Sequence, residues 1–86
     1  MKKNIEISEI NIIPVKPNRG LIGFASFVMD KQFFMGSIAI FSRPQGGIRL
    51  VYPKKNGVDC FYPISKKIGD YICTAVEQEF SKIIKI

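Results

Sequence analysis

The chain contains no histidine and no tryptophan, and only two of its 86 residues are cysteine. Without histidine it lacks the commonest general base and metal ligand at neutral pH, and a serine or cysteine nucleophile has no imidazole to activate it. Two cysteines alone do not supply the four ligands of a structural zinc site. The sequence therefore predicts no enzyme, no metal, no cofactor and no small-molecule substrate.

Acidic residues are also few, seven against thirteen basic ones, and they are scattered. Glu77 and Glu79 stand two residues apart, a spacing that points side chains in different directions on a helix, so we expect no paired-carboxylate site. The glycines form no phosphate-binding loop either, because no lysine-serine pair follows Gly46 and Gly47.

Long apolar runs are absent as well. A membrane-spanning helix needs about eighteen apolar residues in succession, and the chain has no such run, so no membrane association is predicted. Glu6, Glu9 and Asn11 interrupt the stretch that would have to serve as a secretory leader. Cys60 and Cys73 are too few for a disulfide framework. We therefore expect a cytoplasmic protein whose two reduced thiols are buried.

What the chain does contain is apolar sequence, 47% of its residues, which suffices for a single domain over residues 1–86. Apolar runs separated by proline, glycine and polar breaks predict an antiparallel sheet of four to five strands. Pro14 and Pro17 place the first strand at a sheet edge and open a turn that reaches Gly20. Gly36, inside the third run, indicates a bulge or a close backbone approach. The predicted strands cover residues 5–13, 21–29, 32–42, 48–52 and 58–62.

The last part of the chain predicts an amphipathic helix over residues 65–83. Ser65 occupies the N-cap position, and apolar residues recur after it at spacings of three and four. Strands first and a helix last are typical of an α+β domain. The predicted apolar face consists of Ile68, Ile72, Ala75, Val76, Phe80 and Ile83.

The phenylalanines lie in apolar runs and are expected in the core rather than as platforms for nucleic-acid bases. Tyr52 and Tyr62, which each precede a proline beside a basic turn, are the two aromatic residues we consider for base stacking. The phenylalanines concerned are Phe24, Phe27, Phe33, Phe34, Phe41, Phe61 and Phe80.

The net charge of +6 is concentrated in one part of the chain. Residues 43–67 contain six basic residues and one acidic residue, a net charge of +5. Such clustering favours an anionic partner such as nucleic acid, and ordinary solubility charge is the alternative. Lys66 and Lys67 oppose the helix dipole, which favours an anion at that end, although each could simply be a solvated lysine. The candidate nucleic-acid-binding residues are Arg43, Arg49, Lys54, Lys55, Asn56, Lys66 and Lys67.

Several segments stand in an order that is shared with a known family: Arg19-Gly20-Leu21, Phe27-Val28-Met29-Asp30, Phe33-Phe34-Met35, Ile38-Ala39-Ile40, Leu50-Val51-Tyr52-Pro53-Lys54-Lys55 and Tyr62-Pro63-Ile64, followed by a closing helix. From about residue 10 to residue 80 the chain resembles the stage V sporulation protein G (SpoVG, septation protein) family of bacteria. Its most specific features are the spacing from Asp30 to Ile40 and the Pro-x-Lys turn before Pro-Ile and the helix.

The resemblance implies a small α+β domain and a homodimer joined through its sheets, which we expect at their edges. It also implies sequence-selective binding of DNA and RNA in regulation of the sporulation or septation type. In that family the basic turn before the short strand is implicated in nucleic-acid contact, which carries over to Lys54 and Lys55.

Two functions are therefore predicted as alternatives. The first is a dimeric, non-enzymatic nucleic-acid-binding regulator in which the basic residues neutralise phosphates and Asn56 touches bases. The second is a structural or protein-interaction module that binds an acidic protein partner through an exposed strand edge and the basic turn.

Overall fold

A computed structural model of the chain describes residues 5–83 and contains a four-stranded sheet, a separate two-stranded hairpin and one helix. The elements are β1 (Ile7–Asn18), β2 (Leu21–Met29), β3 (Phe33–Ser42), β4 (Ile48–Val51), β5 (Lys54–Lys55), β6 (Val58–Asp59) and α1 (Lys66–Ile83). The main sheet is antiparallel, and its strands lie in the order β1-β2-β3-β4. This confirms the predicted α+β fold, an antiparallel sheet followed by a C-terminal helix.

The hydrophobic core lies between α1 and one face of the main sheet. Alternate residues of a strand point to opposite faces, and on β2 and β3 the residues that face the helix are fully or nearly fully buried. Ile72 and Val76 meet them from the helix. The buried hydrophobic residues are Ile12, Ala25, Phe27, Ile38, Ile40, Ile48, Ile72 and Val76.

The predicted boundaries of β2 agree with the structure, and β2 lies inside the sheet as its apolar sequence indicated. The polar break after it is a tight turn in which Asp30 and Lys31 both have positive φ and the Gln32 N–H donates to the Met29 carbonyl. The bulge predicted at Gly36 is confirmed by a register shift opposite it, between Ala25 and Phe27.

The predicted end of the first strand is wrong. β1 runs on through Pro14 and Pro17 to Asn18, and the turn that follows shrinks to Arg19 and Gly20. An edge strand tolerates proline because its outward N–H groups need no ladder partner. β1 is such an edge strand, as predicted, and its pairing with β2 is irregular between Pro14 and Asn18.

The fifth strand predicted at residues 58–62 is wrong in its extent and its partner. β6 contains only Val58 and Asp59, and it pairs with β5 to form a hairpin outside the main sheet. In a two-residue hairpin the residues on either side of the turn pair with each other, so the Asn56-Gly57 turn pairs Lys55 with Val58. The strands then end at Cys60, whose N–H donates to the Pro53 carbonyl.

The helix begins as predicted. The Ser65 hydroxyl accepts a hydrogen bond of 3.1 Å from the Ile68 N–H, which confirms Ser65 as the N-cap. Ile68, Cys73 and Phe80 pack partly buried around the core, whereas Ile83, which was predicted on the apolar face, is exposed. Within residues 5–83 no helix has the length and apolar character to cross a membrane.

Two predictions of burial are wrong. Phe24 and Phe34 are exposed rather than in the core, because the single helix covers one face of the sheet and leaves the other open within the described chain. Phe33, which pairs with Met29 at the start of β3, is exposed as well. Cys60 is exposed because it follows the hairpin instead of lying in a strand of the sheet, while Cys73 is partly buried. We call the sheet face turned away from α1 the outer face.

Candidate nucleic-acid interface

The basic turn forms the tip of a hairpin of residues 54–59, which we call the basic hairpin. Asn56 and Gly57 have φ angles of 53° and 80°, the left-handed pair that a two-residue hairpin turn requires. Asparagine and glycine adopt this conformation at the least cost, so the local sequence dictates the turn. Lys54 and Lys55 on its first strand are both exposed.

One lysine of the basic hairpin already has a carboxylate partner. The Lys54 Nζ lies 3.7 Å from the Asp59 Oδ1 on the paired strand, and both side chains are largely exposed. An exposed pair of this kind contributes about 0–1 kcal/mol, so a phosphate can displace it at little cost. Among the ion pairs within residues 5–83, Lys55 has no partner.

The first turn of α1 repeats this arrangement. Lys66 Nζ lies 3.0 Å from Asp70 Oδ2 one helical turn on, and Lys67 has no partner among the ion pairs of the described chain. No acidic residue occupies the first turn, where it would stabilise the helix dipole. The helix therefore presents two cations beside its N–H groups, an arrangement that attracts anions.

Residues that flank the basic hairpin and residues at the helix start line the same apolar pocket. Tyr52 and Phe61 flank the hairpin and meet edge to face, with ring centroids 6.0 Å apart. Both line a pocket of about 350 Å³ together with Ser65 and Ile68 from the helix start. The predicted residues of these two segments are all exposed: Lys54, Lys55, Asn56, Lys66 and Lys67.

The two predicted arginines lie elsewhere. Arg43 is in the loop between β3 and β4, near enough to the helix for its charge to act on Cys73. Arg49 lies on the outer face, where its guanidinium carbon is 5.0 Å from the centre of the Phe41 ring. Buried Ile48 beside it points towards the helix, so strand alternation sends Arg49 to the opposite side.

The two tyrosines considered for base stacking differ in environment. Tyr52 packs against the core, and its hydroxyl oxygen is buried without a hydrogen-bond partner among the described residues. Burial raises the pKa of Tyr52 to about 12, and neighbouring Cys73 adds to the rise. Tyr62 is exposed. Only Tyr62 therefore presents an open ring next to the basic hairpin.

Cys73 lies on the helix side of the sheet and donates a hydrogen bond of 3.6 Å to the Ile48 carbonyl. Burial raises the pKa of its thiol, Glu77 adds to the rise, and Arg43 opposes it. A thiol that stays protonated is a poor nucleophile, so Cys73 has a structural environment.

The sequence reasoning missed the aromatic residues of the outer face. Phe24 and Phe34 stand on neighbouring strands and line a groove of about 420 Å³ with Asn11, Ser26 and Ser37. The signal was present in the order of the elements, since one helix cannot cover both faces of a sheet. Counting the layers would have assigned alternate residues of β2 and β3 to an uncovered face.

Comparison of the chain with protein-family models and with curated proteins found no match in either case. The resemblance to the SpoVG family accordingly stays a prediction.

Proposed function

We propose that the protein is a non-enzymatic, cytoplasmic regulator that binds DNA or RNA as a homodimer. The observation that carries the proposal is that four exposed lysines lie on the basic hairpin and at the helix start, two segments whose neighbouring residues line one pocket. Lysines in this arrangement bind phosphates, which supply most of the affinity in nucleic-acid complexes. The resemblance to the SpoVG family supports a regulatory role of the sporulation or septation type.

The edges of the main sheet support a dimer. β1 carries two prolines and a register irregularity, features that discourage pairing at an edge. β4 at the other edge is free of proline and pairs only with β3 among the described strands. We therefore place the dimer contact at β4, where two copies would form one continuous sheet and place two basic hairpins on one particle.

The proposal is tested by titrating a labelled nucleic acid against the protein at several salt concentrations. Four lysines on phosphates give a slope of log affinity against log salt of roughly −3 to −4 per subunit. The double variant Lys55→Ala/Lys67→Ala should weaken binding to all sequences alike and make this slope shallower by about 1.5 to 2. Lys16→Ala/Lys82→Ala removes the same charge elsewhere and serves as the matched control.

Equal binding by the two double variants would exclude the hairpin and helix start as the phosphate site. The alternative function, a module for an acidic protein partner, predicts instead a protein complex that survives nuclease treatment, and a purified protein that retains no nucleic acid. Nucleic acid that remains bound through purification is easily seen in the ultraviolet spectrum, because the chain absorbs weakly with three tyrosines and no tryptophan.

A further inference from the structure

The outer face of the sheet is free of negative charge over three of its four strands. β2 and β3 contain no charged residue, and the single charge of β4 is Arg49. Basic residues follow at both ends of these strands: Arg19 and Arg43 in the turns at one end, and Lys31, beside Asp30, in the turn at the other. An anionic chain that crosses this face would meet three cations and the Asp30 carboxylate in these turns, and no carboxylate from β2, β3 or β4.

Aromatic rings stand exposed on the same face. Phe34 is 74% exposed and Phe24 is 37% exposed, although both are large hydrophobic residues. The groove between them is lined by an amide and two hydroxyl groups, from Asn11, Ser26 and Ser37. Open rings beside hydrogen-bonding groups are what a protein uses to hold an unpaired base, by stacking on its face and bonding to its edge.

The Phe34 ring is held in place by the bulge beneath it. A Cβ atom at Gly36 would lie 2.8 Å from the Phe34 Cε2 and 3.2 Å from its Cζ, so glycine is needed for the ring to rest there. The backbone supports the ring on one side, and solvent reaches the rest of the residue.

Arg49 supplies a second stacking element. Its guanidinium group lies over the Phe41 ring. The next residue of β4 on the outer face is Val51, which begins a row of directly paired residues across the sheet. The row consists of Val51, Ala39, Phe24 and Ile13. Arginine planes and phenylalanine rings both accept bases. The row therefore offers apolar contact from one edge of the sheet to the other.

We propose that the outer face is a second binding surface, specific for single-stranded nucleic acid, in which bases stack on Phe34 and Phe24 and Arg49 neutralises a phosphate. A duplex keeps its bases stacked on one another and cannot use these rings. The proposal shares the class of ligand with the proposed function but not its site, because the basic hairpin lies outside this sheet.

Charge decides between a single strand and a second copy of the chain as the occupant. Two copies related by a two-fold axis would bring the same patch together, so two Arg49 side chains would be buried against strands that carry no carboxylate. Burying unpaired charges is costly. A phosphate backbone supplies the missing anion, and dimerisation at the β4 edge leaves the outer face open.

The test uses the absence of tryptophan from the chain. Phe34→Trp places a lone indole on the outer face, and Ile83→Trp places one at the exposed C-terminal end of the helix, far from the helix start, as the matched control. Each is titrated with a single-stranded oligothymidine of about 12 nucleotides and with a duplex of equal length, a length within the range of single-strand sites. We expect the oligothymidine to quench the Phe34→Trp emission but not that of Ile83→Trp, and the duplex to quench neither.

A second variant measures the contribution of the ring. Phe34→Ser should weaken oligothymidine binding about 5- to 150-fold, the range for one stacked base, and leave duplex binding unchanged. Because the side chain is exposed, its thermal unfolding should match that of the parent. Unquenched Phe34→Trp bound to oligothymidine overturns the proposal. A dimer that Phe34→Ser dissociates, seen by light scattering, also overturns it and assigns the face to a second copy.

The two proposals fail separately. Loss of binding in Lys55→Ala/Lys67→Ala with no effect of Phe34→Ser retains the hairpin site and removes the outer face. Quenching of Phe34→Trp with full binding by the double lysine variant retains the outer face and removes the hairpin site. A parent protein that binds neither oligothymidine nor duplex overturns both.

Discussion

The ring of Phe34 rests on the backbone of Gly36, with its Cε2 atom only 2.8 Å from the position a Cβ would take. This contact joins a bulge inside β3 to the most exposed ring of the outer face. It means that the smallest possible change in sequence, one methyl group, moves the ring.

Gly36→Ala should therefore alter the outer face without unfolding the protein. An alanine at a strand position saves backbone entropy worth about 0.5–1 kcal/mol, and the displaced ring lies on the surface, where it can rotate away. We expect the free energy of unfolding to change by less than about 1 kcal/mol and the affinity for oligothymidine to fall. Chemical denaturation and the oligothymidine titration measure the two effects. An unchanged affinity would mean that the position of the ring is irrelevant to binding.

The core prediction concerns Ile40, which is completely buried between the sheet and the helix. Ile40→Val removes one methylene and should lower the free energy of unfolding by about 0.5–1.5 kcal/mol, and Ile40→Ala by about 2–5 kcal/mol. Ile64→Val is the control, since Ile64 is 92% exposed and should show almost no effect. Urea unfolding gives all three values, and a similar loss in the control would contradict the assignment of the core.

Tyr52 makes stability depend on pH in the alkaline range. Burial raises the pKa of Tyr52 from 10.0 to about 12, so the folded state favours the protonated phenol. The contribution of the Tyr52 phenol to the free energy of unfolding is complete below pH 10 and is lost as the pH rises towards 12. In this range the phenol of the unfolded chain ionises more readily than that of the folded protein. Tyr52→Phe should abolish this part of the pH dependence, as followed by urea unfolding between these pH values.

The same variant removes a buried hydroxyl that has no hydrogen-bond partner in the described chain. Such a group costs about 1–3 kcal/mol when it is left unpaired, so Tyr52→Phe should be as stable as the parent or more stable at neutral pH. Tyr62→Phe, at an exposed ring, should leave both properties unchanged. A clear loss of stability in Tyr52→Phe would reveal a partner for the hydroxyl.

The two thiols should react at different rates. Cys60 is exposed, whereas Cys73 is partly buried and its thiol has a raised pKa. At neutral pH a thiol reagent should modify Cys60 first and Cys73 slowly, because the thiolate is the reactive form. Cys60→Ser should remove the fast phase alone. Two phases of equal rate in the parent would contradict the difference in burial.

Local signals predicted the elements whose chemistry is short-range. Ser65 as the cap, the Asn56-Gly57 turn and the uniformly apolar β2 each depend on neighbours a few residues away. The errors arose where distant parts of the chain decide the outcome. Pro14 and Pro17 predict the end of a strand, but β1 continues through them because the strand order makes it an edge strand. The apolar run around Phe34 predicts a core residue, but the single helix covers the opposite face of the sheet.

The candidate site divides in the same way. Lys54 and Lys55 and the pair Lys66 and Lys67 are adjacent pairs in the sequence, and both pairs are exposed in the structure, as their basic character predicted. Arg49 is equally close in sequence but lies on the outer face, because a strand sends neighbouring residues to opposite sides. A strand of four residues is too short for its alternating pattern to show which face of the sheet Arg49 lies on.

The basic hairpin is closed at its base by the Cys60 N–H bonded to the Pro53 carbonyl, and among the described residues none other than the chain neighbours of Gly57 lies within 4 Å of the place where a side chain on Gly57 would begin. Its tip is therefore a permissive position for inserted peptides. A loop of several residues placed between Asn56 and Gly57 adds only a small closure entropy, which grows slowly with length, and displaces nothing from the core. An epitope or a reporter sequence can be carried there while the sheet and the helix fold as before.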